Sequence, residues 1–551
     1  MYKSIFKITI LSIFFILGDL FSAQGELIHI SGKTADKVTG KALSQTTIYI
    51  NDLQKGTIDS VYSNINGLWE YDLAVTSISE EPGLPRTFRV SQNYPNPFNP
   101  GTRIDLSIPE GGEVQVTVFN ALGERVDTHR DFLQAGNYSI DWSSKGSAGV
   151  YFIQVKTSQG SITRKMIQLD GAQGGGLSRF QKASAPVSHS AGTVTSIPVR
   201  IRASKFAYID HSVDSEVNGG EYFEIALESI HNHYTMIDLH NDILEKMIDS
   251  PDYHLADWHS YNHTDIPRLQ EGGVDVQFFV VWVDPSQYLQ NSYQRAMDMI
   301  NLFKSELSLN EGTIVQAGTF SQADAINDEN KIAAVLAVEG GHAIENDIAK
   351  LKAFHQAGMR YLTITWNNSL DWAVSAQDSR TATVGLSEFG RKVIRTLDTL
   401  GVIIDVSHTG IKTIEDILEV TQNPIIASHS GVRALRNHYR NLYDNQIRAI
   451  ANSGGVIGVV FYPPFLTSGG TAYISTVVDH IDYIVNLVGI DYAAIGSDFD
   501  GIGTNTVNGL EDVSKFPDLT LELLNRGYSN TEVEKILGAN FRRIFEQVCG
   551  N

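Results

Sequence analysis

From about residue 231 onwards, short apolar runs alternate with amphipathic stretches of helical period. The eight runs are TMIDLH, VDVQFFVVW, IAAVLAVEG, YLTITW, GVIIDVSH, PIIASHS, GGVIGVVFY and AAIGSDFD. Strands that are apolar at nearly every position and separated by helices indicate a parallel sheet covered on both faces. Eight such units predict an α/β fold, a (β/α)8 TIM-type barrel over residues 231–551. A doubly wound open sheet is the alternative, which the number of units disfavours.

Nearly every one of these runs ends in a polar or ionisable side chain. The groups at the run ends are His240, Asp242, Glu339, Trp366, His408, His429 and Asp498. In a barrel of this type, catalytic groups stand at the carboxyl ends of the strands. A single histidine at a strand end is more often structural, but several ionisable groups at the same topological position indicate a shared site.

The residue types at these ends predict a metal site. His240 and Asp242 are two residues apart, so they share one face of a strand. Imidazole nitrogen and carboxylate oxygen suit zinc, and a bound cation compensates for burying a carboxylate. Together with Glu339, His408 and His429 they make five ligands, which is too many for one catalytic zinc. We therefore expect two zinc ions about 3.5–4 Å apart, bridged by Glu339, with a water between them as the nucleophile.

Nine motifs of this segment can be compared with known families. They are IDLHNDIL, AVEGGHAIE, AGMRYLTITW, GLSEFGRKVI, GVIIDVSHTG, PIIASHSGVRAL, RNL at 440–442, IGSDFDGI and GLEDVSKFPDLT. Jointly they resemble the membrane dipeptidase (renal dipeptidase) family, peptidase family M19, over about residues 234–548. The resemblance implies a zinc-dependent metallo-dipeptidase whose metal ligands match the same five residues, with Glu339 also counted as catalytic.

The resemblance implies roles for three further residues. Arg440 matches a substrate-contacting arginine, and its planar fork suits a terminal carboxylate or an oxyanion. Asp498 matches the acid that takes the proton from the attacking water and hands it to the leaving amine. Trp366 stands where better-studied members have a histidine that contacts the substrate. An indole N–H can donate one hydrogen bond but cannot ionise, so Trp366 is a candidate for substrate binding or for simple packing. Asp500 is expected to be structural.

Before residue 231 the sequence has the alternating texture of all-β immunoglobulin-like sandwich modules. Residues 25–84 resemble the first part of a carboxypeptidase-regulatory-like sandwich, to be completed by residues 195–230. Residues 85–170, with QNYPNPFNP and GVYFIQV, resemble the FlgD-type module found as a sorting or attachment tail in secreted bacterial proteins. We expect this module to be inserted into the first sandwich, as an attachment module or a spacer. Residues 171–194 are rich in glycine and serine and predict a linker.

The first 24 residues predict a secretory signal peptide. Lys3 and Lys7 precede an apolar run at 8–17 that is too short to span a bilayer, and small or polar residues follow at 22–24. We therefore expect an exported protein, periplasmic, on the cell surface or extracellular, with no transmembrane helix in the mature chain. The formal net charge of -21 argues against nucleic acid as a partner.

The sequence as a whole predicts an exported dinuclear zinc dipeptidase that hydrolyses dipeptides, or a related small amide, through a metal-bridging hydroxide. One alternative is another amide or ester hydrolase on the same barrel, acting on an N-acyl amino acid, a lactone or a β-lactam. Another is a surface-attachment protein with a vestigial barrel. A homodimer formed through the barrel and cell-surface attachment through the sandwich modules are further expectations.

Overall fold

The computed structural model describes residues 27–74, 88–96, 98, 101–144, 147–168, 175–182 and 196–550. The chain divides into two compact units, Met1–Phe206 with Asp210–Leu227, and Ala207–Ile209 with Glu228–Asn551. The signal peptide predicted at 1–24 lies outside the described residues. Among the residues that are described, no helix is both long enough and apolar enough to cross a membrane.

The first unit is built from strands. They are β1 (Leu27–Asp36), β2 (Thr47–Asp52), β3 (Thr57–Tyr62), β4 (Leu68–Ala74), β5 (Arg89–Val90), β6 (Gly101–Ile108), β7 (Gly112–Asn120), β8 (Arg125–Leu133), β9 (Gly136–Ser143), β10 (Gly149–Thr157), β11 (Gly160–Gln168), β12 (Gly176–Leu177), β13 (Gln181–Lys182), β14 (Ile197–Ser204), β15 (His211–Val217) and β16 (Glu221–Leu227). Two sheets, in the orders β16-β1-β4 and β15-β14-β2-β3, combine strands that precede β5 with strands that follow β13. Buried and less buried residues alternate along β1 and β2, as in strands with one face towards a core.

Strands β5 to β13 form two further sheets, in the orders β11-β10-β7-β8 and β12-β9-β6-β5, with β13 pairing with β9. Ile104 and Ile140 from one sheet and Val116 and Ile153 from the other belong to a single buried cluster. This is the face-to-face packing of a β-sandwich. The all-β character predicted for the region before residue 231 is therefore confirmed.

Of the segment 171–194, predicted to be a linker, the structure describes residues 175–182, and these residues contact the sandwich. Strands β12 and β13 lie in this stretch and both pair with β9. The physical reason is that Leu177 and Phe180 pack against the buried cluster of the sandwich. Burying these two apolar side chains stabilises the contact between this glycine- and serine-rich stretch and the sandwich.

The second unit contains the remaining strands and the helices. The strands are β17 (Ile237–Asn241), β18 (Val276–Trp282), β19 (Ile314–Gln316), β20 (Ile332–Glu339), β21 (Met359–Thr363), β22 (Ile403–Asp405), β23 (Ile425–Ser430), β24 (Ile457–Val459) and β25 (Ala493–Ile495). The helices are α1 (Ile230–His233), α2 (Ile243–Ile248), α3 (Ile266–Glu271), α4 (Pro285–Tyr288), α5 (Ser292–Leu309), α6 (Phe320–Asp328), α7 (Ile348–Ala357), α8 (Glu388–Leu400), α9 (Ile411–Val420), α10 (Asp444–Asn452), α11 (Pro463–Leu466), α12 (Ile474–Val488), α13 (Phe516–Arg526), α14 (Asn530–Glu534) and α15 (Asn540–Cys549).

Eight of these strands form one parallel sheet in the order β17-β18-β20-β21-β22-β23-β24-β25. Its two ends meet, because the backbone N–H of Asp498 donates to His240 O at 3.0 Å and that of Asp242 donates to Phe499 O at 2.9 Å. The (β/α)8 barrel is therefore confirmed, and the open sheet is excluded. Each of the eight apolar runs contributes one strand. The short strand β19, which the sequence analysis did not foresee, pairs with β20.

Both faces of the barrel strands are buried, which explains why the runs are apolar at successive positions. On β18, Phe278 and Val280 belong to one buried cluster, whereas Phe279 and Val281 belong to another that includes residues of the surrounding helices. On β20, Ala333, Val335 and Ala337 belong to the same cluster as Phe278. Because side chains alternate along a strand, Glu339 continues this series to the carboxyl end of β20.

Candidate metal centre

The five residues predicted as metal ligands meet at the carboxyl ends of the barrel strands. His240 lies in β17, Glu339 ends β20 and His429 lies in β23. Asp242 follows directly after β17, and His408 lies in the loop after β22. All five side chains are buried, with 0 to 8% of their surface exposed. Ligand atoms of His240, Glu339 and His429 lie within 4.8 Å of one another, and so do those of His240, Asp242 and Asp498. The structure thus brings together every residue of the predicted set.

Glu339 lies between the two halves of this group. Its Oε1 is 3.0 Å from His408 Nε2 and 3.4 Å from His429 Nε2. Its Oε2 is 3.9 Å from His240 Nε2, which in turn is 3.5 Å from Asp242 Oδ2. One carboxylate oxygen therefore faces each half, which is the geometry that a bridging ligand requires.

Several buried atoms of this centre have no hydrogen-bond partner. They are His240 Nε2, Asp242 Oδ1 and Glu339 Oε1. In addition, the Nε2 atoms of His408 and His429 approach each other to 3.0 Å. Leaving buried polar atoms unpaired costs free energy, and such groups in proteins are normally hydrogen-bonded or bound to an ion. Imidazole nitrogens and carboxylate oxygens in this arrangement fit divalent cations such as zinc.

Burial also shifts the pKa values of the centre, upwards for its carboxyl groups and downwards for its imidazoles. Burial raises the pKa of Asp242 to about 8. Burial and then the nearby carboxylates of Asp242 and Asp498 raise the pKa of Glu339 well above its ordinary value. Burial lowers the pKa of His408 and His429 well below the ordinary value, with Arg440 and His240 adding to the effect. The shift of the histidine pKa values favours neutral imidazoles, the form that binds metal ions, and the shift of the carboxyl pKa values shows that the charge of Arg440 compensates the buried carboxylates only in part.

Arg440 is the buried cation beside the centre, with 2% of its surface exposed. Its Nη2 donates to the backbone oxygen of His429 at 3.0 Å, whereas Nε and Nη1 have no hydrogen-bond partner. The guanidinium carbon lies 5.3 Å from the ring centroid of Phe465. Two unpaired N–H donors on one planar guanidinium group can bind an anionic group such as a carboxylate.

Two aspartates follow β25, and they have different surroundings. The carboxylate of Asp498 lies within 4.8 Å of ligand atoms of Asp242 and His240, and burial followed by the charge of Asp242 raises the pKa of Asp498 well above the ordinary value. Asp500 instead accepts a hydrogen bond from the backbone N–H of His263 at 2.9 Å, and its own backbone N–H donates to His263 Nδ1 at 2.9 Å. Asp498 therefore lies beside the predicted metal ligands, whereas Asp500 holds the loop that carries His263 in position through two hydrogen bonds.

Backbone conformation at the strand ends is unusual. His408, Asp498 and Asp500 have φ values of +64°, +63° and +67°, in the left-handed region that side chains other than glycine rarely adopt. Such conformations persist only where the surrounding structure imposes them, and they concentrate at functional sites. Here they turn the chain directly after β22 and β25.

Trp366 lies next to the centre, as its position in the sequence predicted. Its ring centroid is 4.9 Å from that of Trp282 and 6.3 Å from that of His408. Trp282 ends β18 and is paired with Glu339 in the sheet. The two tryptophans pack against each other beside His408, and the sequence analysis did not single out Trp282, because an aromatic residue at the end of an apolar run carries no separate signal.

The sequence analysis did not single out four other residues near the ligand histidines. Three of them contact a ligand histidine, and the fourth accepts a hydrogen bond from one of these three. Tyr361 Oη is 2.7 Å from His240 Nδ1, and Asn367 Oδ1 is 3.1 Å from His408 Nδ1. Ser428 Oγ is 2.8 Å from His429 Nδ1, and it donates to Asp405 Oδ2 at 2.7 Å. An acid inside an apolar run was the available signal for Asp405, within GVIIDVSH. The other three are common residue types whose importance depends on contacts between different strands.

Comparisons with known proteins agree with this geometry. The family model described as "Membrane dipeptidase (Peptidase family M19)" matches residues 225–550, and "Secretion system C-terminal sorting domain" matches residues 92–168. Dipeptidase 3 of Mus musculus is 33% identical over 323 residues, and dipeptidase 3 of Homo sapiens is 34% identical over 325 residues. Each alignment covers 57% of this chain, and the chain spans 64% and 65% of the length of these two relatives.

Solved structures show the same barrel fold. The probable dipeptidase PvdM of Pseudomonas aeruginosa superposes with a TM-score of 0.54 at 24% identity, over 58% of this chain and 96% of that one. A metallopeptidase of Rhodobacter sphaeroides, liganded with a phosphinate mimic of the dipeptide L-Ala-D-Ala, gives a TM-score of 0.54 at 24% identity, over 57% of this chain and 99% of that one.

Proposed function

The chain belongs to the membrane dipeptidase family, peptidase family M19, and from this premise we propose that its barrel is a dinuclear zinc dipeptidase. The observation that carries the proposal is the position of Glu339, whose two carboxylate oxygens face different pairs of ligand side chains. A protein that kept the barrel only as a scaffold would have no reason to bury five such groups with three of their polar atoms unpaired.

The ligands divide into two sets that share one residue. His240, Asp242 and Glu339 would hold one zinc ion, and Glu339, His408 and His429 would hold the other. When bound, zinc polarises the carbonyl of the scissile bond and lowers the pKa of a water molecule towards neutrality. The neutral imidazoles and the shared carboxylate are supplied by residues that the barrel already holds in place.

Other residues would bind the substrate and move the proton. Arg440 would bind the terminal carboxylate of the dipeptide through Nε and Nη1, because only Nη2 is already in use. Asp498, whose carboxylate lies within 4.8 Å of ligand atoms of Asp242 and His240, would accept the proton of the attacking water and pass it to the leaving amine. Trp366, packed between Trp282 and His408, would line the substrate site beside one metal.

Replacing Glu339 tests the proposal. Glu339→Ala removes the ligand common to both sets, so it is expected to abolish dipeptide hydrolysis and to lower the zinc content, while circular dichroism shows an intact fold. Near-normal turnover in this variant would refute the assignment of two shared metals. A substrate panel of L,L and L,D dipeptides, N-acyl amino acids, lactones and a β-lactam separates the dipeptidase from another hydrolase. A purified wild type that neither contains nor takes up zinc would instead support a vestigial barrel.

The match to a sorting domain at residues 92–168 supports export of the protein. We propose that residues 1–24 direct secretion and that the module at 85–170 is inserted into a sandwich made from 25–84 and 195–230, whose strands share two sheets. Attachment to the cell surface would then depend on this module. Fractionation of cells that express the full chain, or a chain without residues 92–168, tests the attachment, and light scattering of the purified protein tests the expected homodimer.

A further inference from the structure

The hydroxyl of Ser428 is buried among ligand histidines from both halves of the centre. Ser428 Oγ lies 2.8 Å from His429 Nδ1 and 3.3 Å from His240 Nδ1. It also lies 2.7 Å from Asp405 Oδ2 and 3.3 Å from Ser407 Oγ. Ser428, His240 and Asp405 are completely buried, and His429 is 1% exposed. These contacts are direct, so the proton of each hydrogen bond has to come from one of the groups named.

Hydrogen-bonding capacity decides which way the protons point. An ionised carboxylate only accepts, so the hydroxyl of Ser428 donates its single proton to Asp405. Ser428 Oγ is then an acceptor towards every other neighbour. His429 can satisfy the 2.8 Å contact only by donating from a protonated Nδ1. A neutral imidazole with its proton on Nδ1 has the lone pair on Nε2, the atom that faces Glu339 and His408.

Asp405 is held so that it cannot turn away from Ser428. Its Oδ1 accepts from the backbone N–H groups of Ser407 at 3.0 Å and Ser428 at 2.8 Å. Its Oδ2 accepts from the hydroxyl of Thr363 at 2.5 Å, in addition to that of Ser428. Four donors fix both the position and the acceptor role of this carboxylate. The two backbone N–H groups hold the carboxylate in place through Oδ1, so Oδ2 remains an acceptor for Ser428 whether or not Thr363 also donates to it.

His240 has a second acceptor that His429 lacks. Tyr361 Oη donates to the backbone oxygen of Leu239 at 2.9 Å, so it can only accept from His240 Nδ1, at 2.7 Å. The contact of His240 with Ser428 is longer, at 3.3 Å. Removing the Ser428 hydroxyl should therefore leave Nδ1 of His429 without a hydrogen-bond acceptor, whereas Nδ1 of His240 keeps the hydroxyl of Tyr361 as its acceptor.

We propose that Asp405 and Ser428 are positioning residues that hold His429 with its proton on Nδ1, so that Nε2 is ready to bind a metal ion before the ion arrives. The proposal rests on the proposed function, because it assigns these two residues a task only if His429 is a metal ligand. Partners that orient ligand histidines in this way typically contribute 10- to 100-fold to metal affinity. Neither residue touches the substrate in this account, so both act through His429.

Asp405→Asn is the sharpest test, because it reverses the donor and acceptor roles with little change of shape. The two backbone N–H groups keep the amide oxygen at the Oδ1 position, so the NH2 group replaces Oδ2 and donates to Ser428. The Ser428 hydroxyl no longer has to donate to residue 405 and can donate to His429 Nδ1, which allows the tautomer with the imidazole proton on Nε2. Competition with a chelator of known affinity should show that one of the two bound zinc ions is about 10- to 100-fold weaker.

Thr363→Val is the matched control, since it removes another hydroxyl that donates to the same Oδ2 and leaves the contact between Ser428 and His429 intact. It should keep the wild-type zinc affinity. Ser428→Ala should weaken zinc less than Asp405→Asn does, because it removes the acceptor without supplying a donor to His429 Nδ1. Equal zinc affinity in wild type and a folded Asp405→Asn protein would overturn the proposal, and so would an equal loss in Thr363→Val.

A measurement on the wild-type chain covers the case in which the variants do not fold. Nitrogen-15 NMR of histidine-labelled, zinc-stripped protein distinguishes the two imidazole tautomers, and His429 is expected to carry its proton on Nδ1. A proton on Nε2 would contradict the proposal. The two proposals fail separately: a wild type without zinc affinity contradicts the metal centre itself, whereas zinc binding that is indifferent to Asp405 contradicts only the role of Asp405 and Ser428.

Discussion

Replacing Arg440 by methionine removes the buried guanidinium while keeping an apolar side chain of similar length. Of its hydrogen-bonding nitrogens, Nη2 is occupied by the backbone oxygen of His429, and Nε and Nη1 are unpaired. A bound carboxylate would therefore gain two charge-assisted hydrogen bonds, each contributing about 1.5–3 kcal/mol. Losing both hydrogen bonds should weaken transition-state binding by roughly 3–6 kcal/mol. This corresponds to a fall in kcat/KM for a dipeptide of about 10²- to 10⁴-fold.

The assay compares a dipeptide with the corresponding dipeptide amide, which lacks the terminal carboxylate. Because Arg440 is assigned to that carboxylate, Arg440→Met should lower kcat/KM steeply for the dipeptide and hardly at all for the amide. Arg433→Met is the matched control, since Arg433 belongs to the same loop and hydrogen-bonds to Asn437 at 3.1 Å. If dipeptide and amide lose activity equally, Arg440 stabilises an oxyanion instead. Unchanged kcat/KM for the dipeptide would refute the assignment of Arg440 to the substrate.

Three further predictions concern Trp366, metal removal and pH. Trp366→His should raise kcat/KM for small dipeptides relative to those with large side chains, because it opens the wall formed with Trp282; an unchanged ratio across a dipeptide series would show that Trp366 only packs. Stripping zinc with a chelator should lower the Tm of the barrel, and adding zinc back should restore it in proportion to the logarithm of its concentration; a Tm that ignores zinc contradicts the metal centre. Burial lowers the pKa of His231 to about 4, whereas its value in the unfolded chain is about 6.5. Between these two pH values the unfolded chain therefore binds one proton more than the folded chain does. The stability that His231 allows above pH 6.5 is lost as the pH falls towards 4. This loss is on the order of 3 kcal/mol and should be reduced in His231→Gln, as measured by denaturant unfolding of both proteins between pH 7 and pH 4.

Much of the barrel could be predicted because its strands are buried on both faces. A run such as IAAVLAV, at residues 332–338, has no polar alternation that could be confused with an exposed strand, and its length excludes a typical helix. Strand β19 was missed because only Ile314 and Val315 are apolar there, whereas the equally short strands β22, β24 and β25 lie within longer apolar runs. The stretch at 175–182 was taken for a linker because its composition outweighed two apolar side chains, Leu177 and Phe180, that found a core to pack against.

The sequence singled out the residues that meet in the candidate metal centre, but it did not single out the residues that hold them in position. Ligands are recognisable one at a time, since each is an ionisable group at the end of an apolar run. The supporting contacts join residues that are far apart in the chain. Ser497, for example, donates to Asp238 Oδ2 at 2.7 Å across 259 positions, and this contact joins β17 to the end of β25 where the barrel closes. Hydrogen bonds of this kind exist only once the fold has formed, so no local pattern reveals them.

Anomalous diffraction at the zinc absorption edge, from crystals of the full chain grown with zinc, tests the central claim most directly. The account predicts two peaks about 3.5–4 Å apart, one beside His240 and Asp242, the other beside His408 and His429, and both in contact with Glu339. A single peak, or no peak among these five side chains, would contradict it.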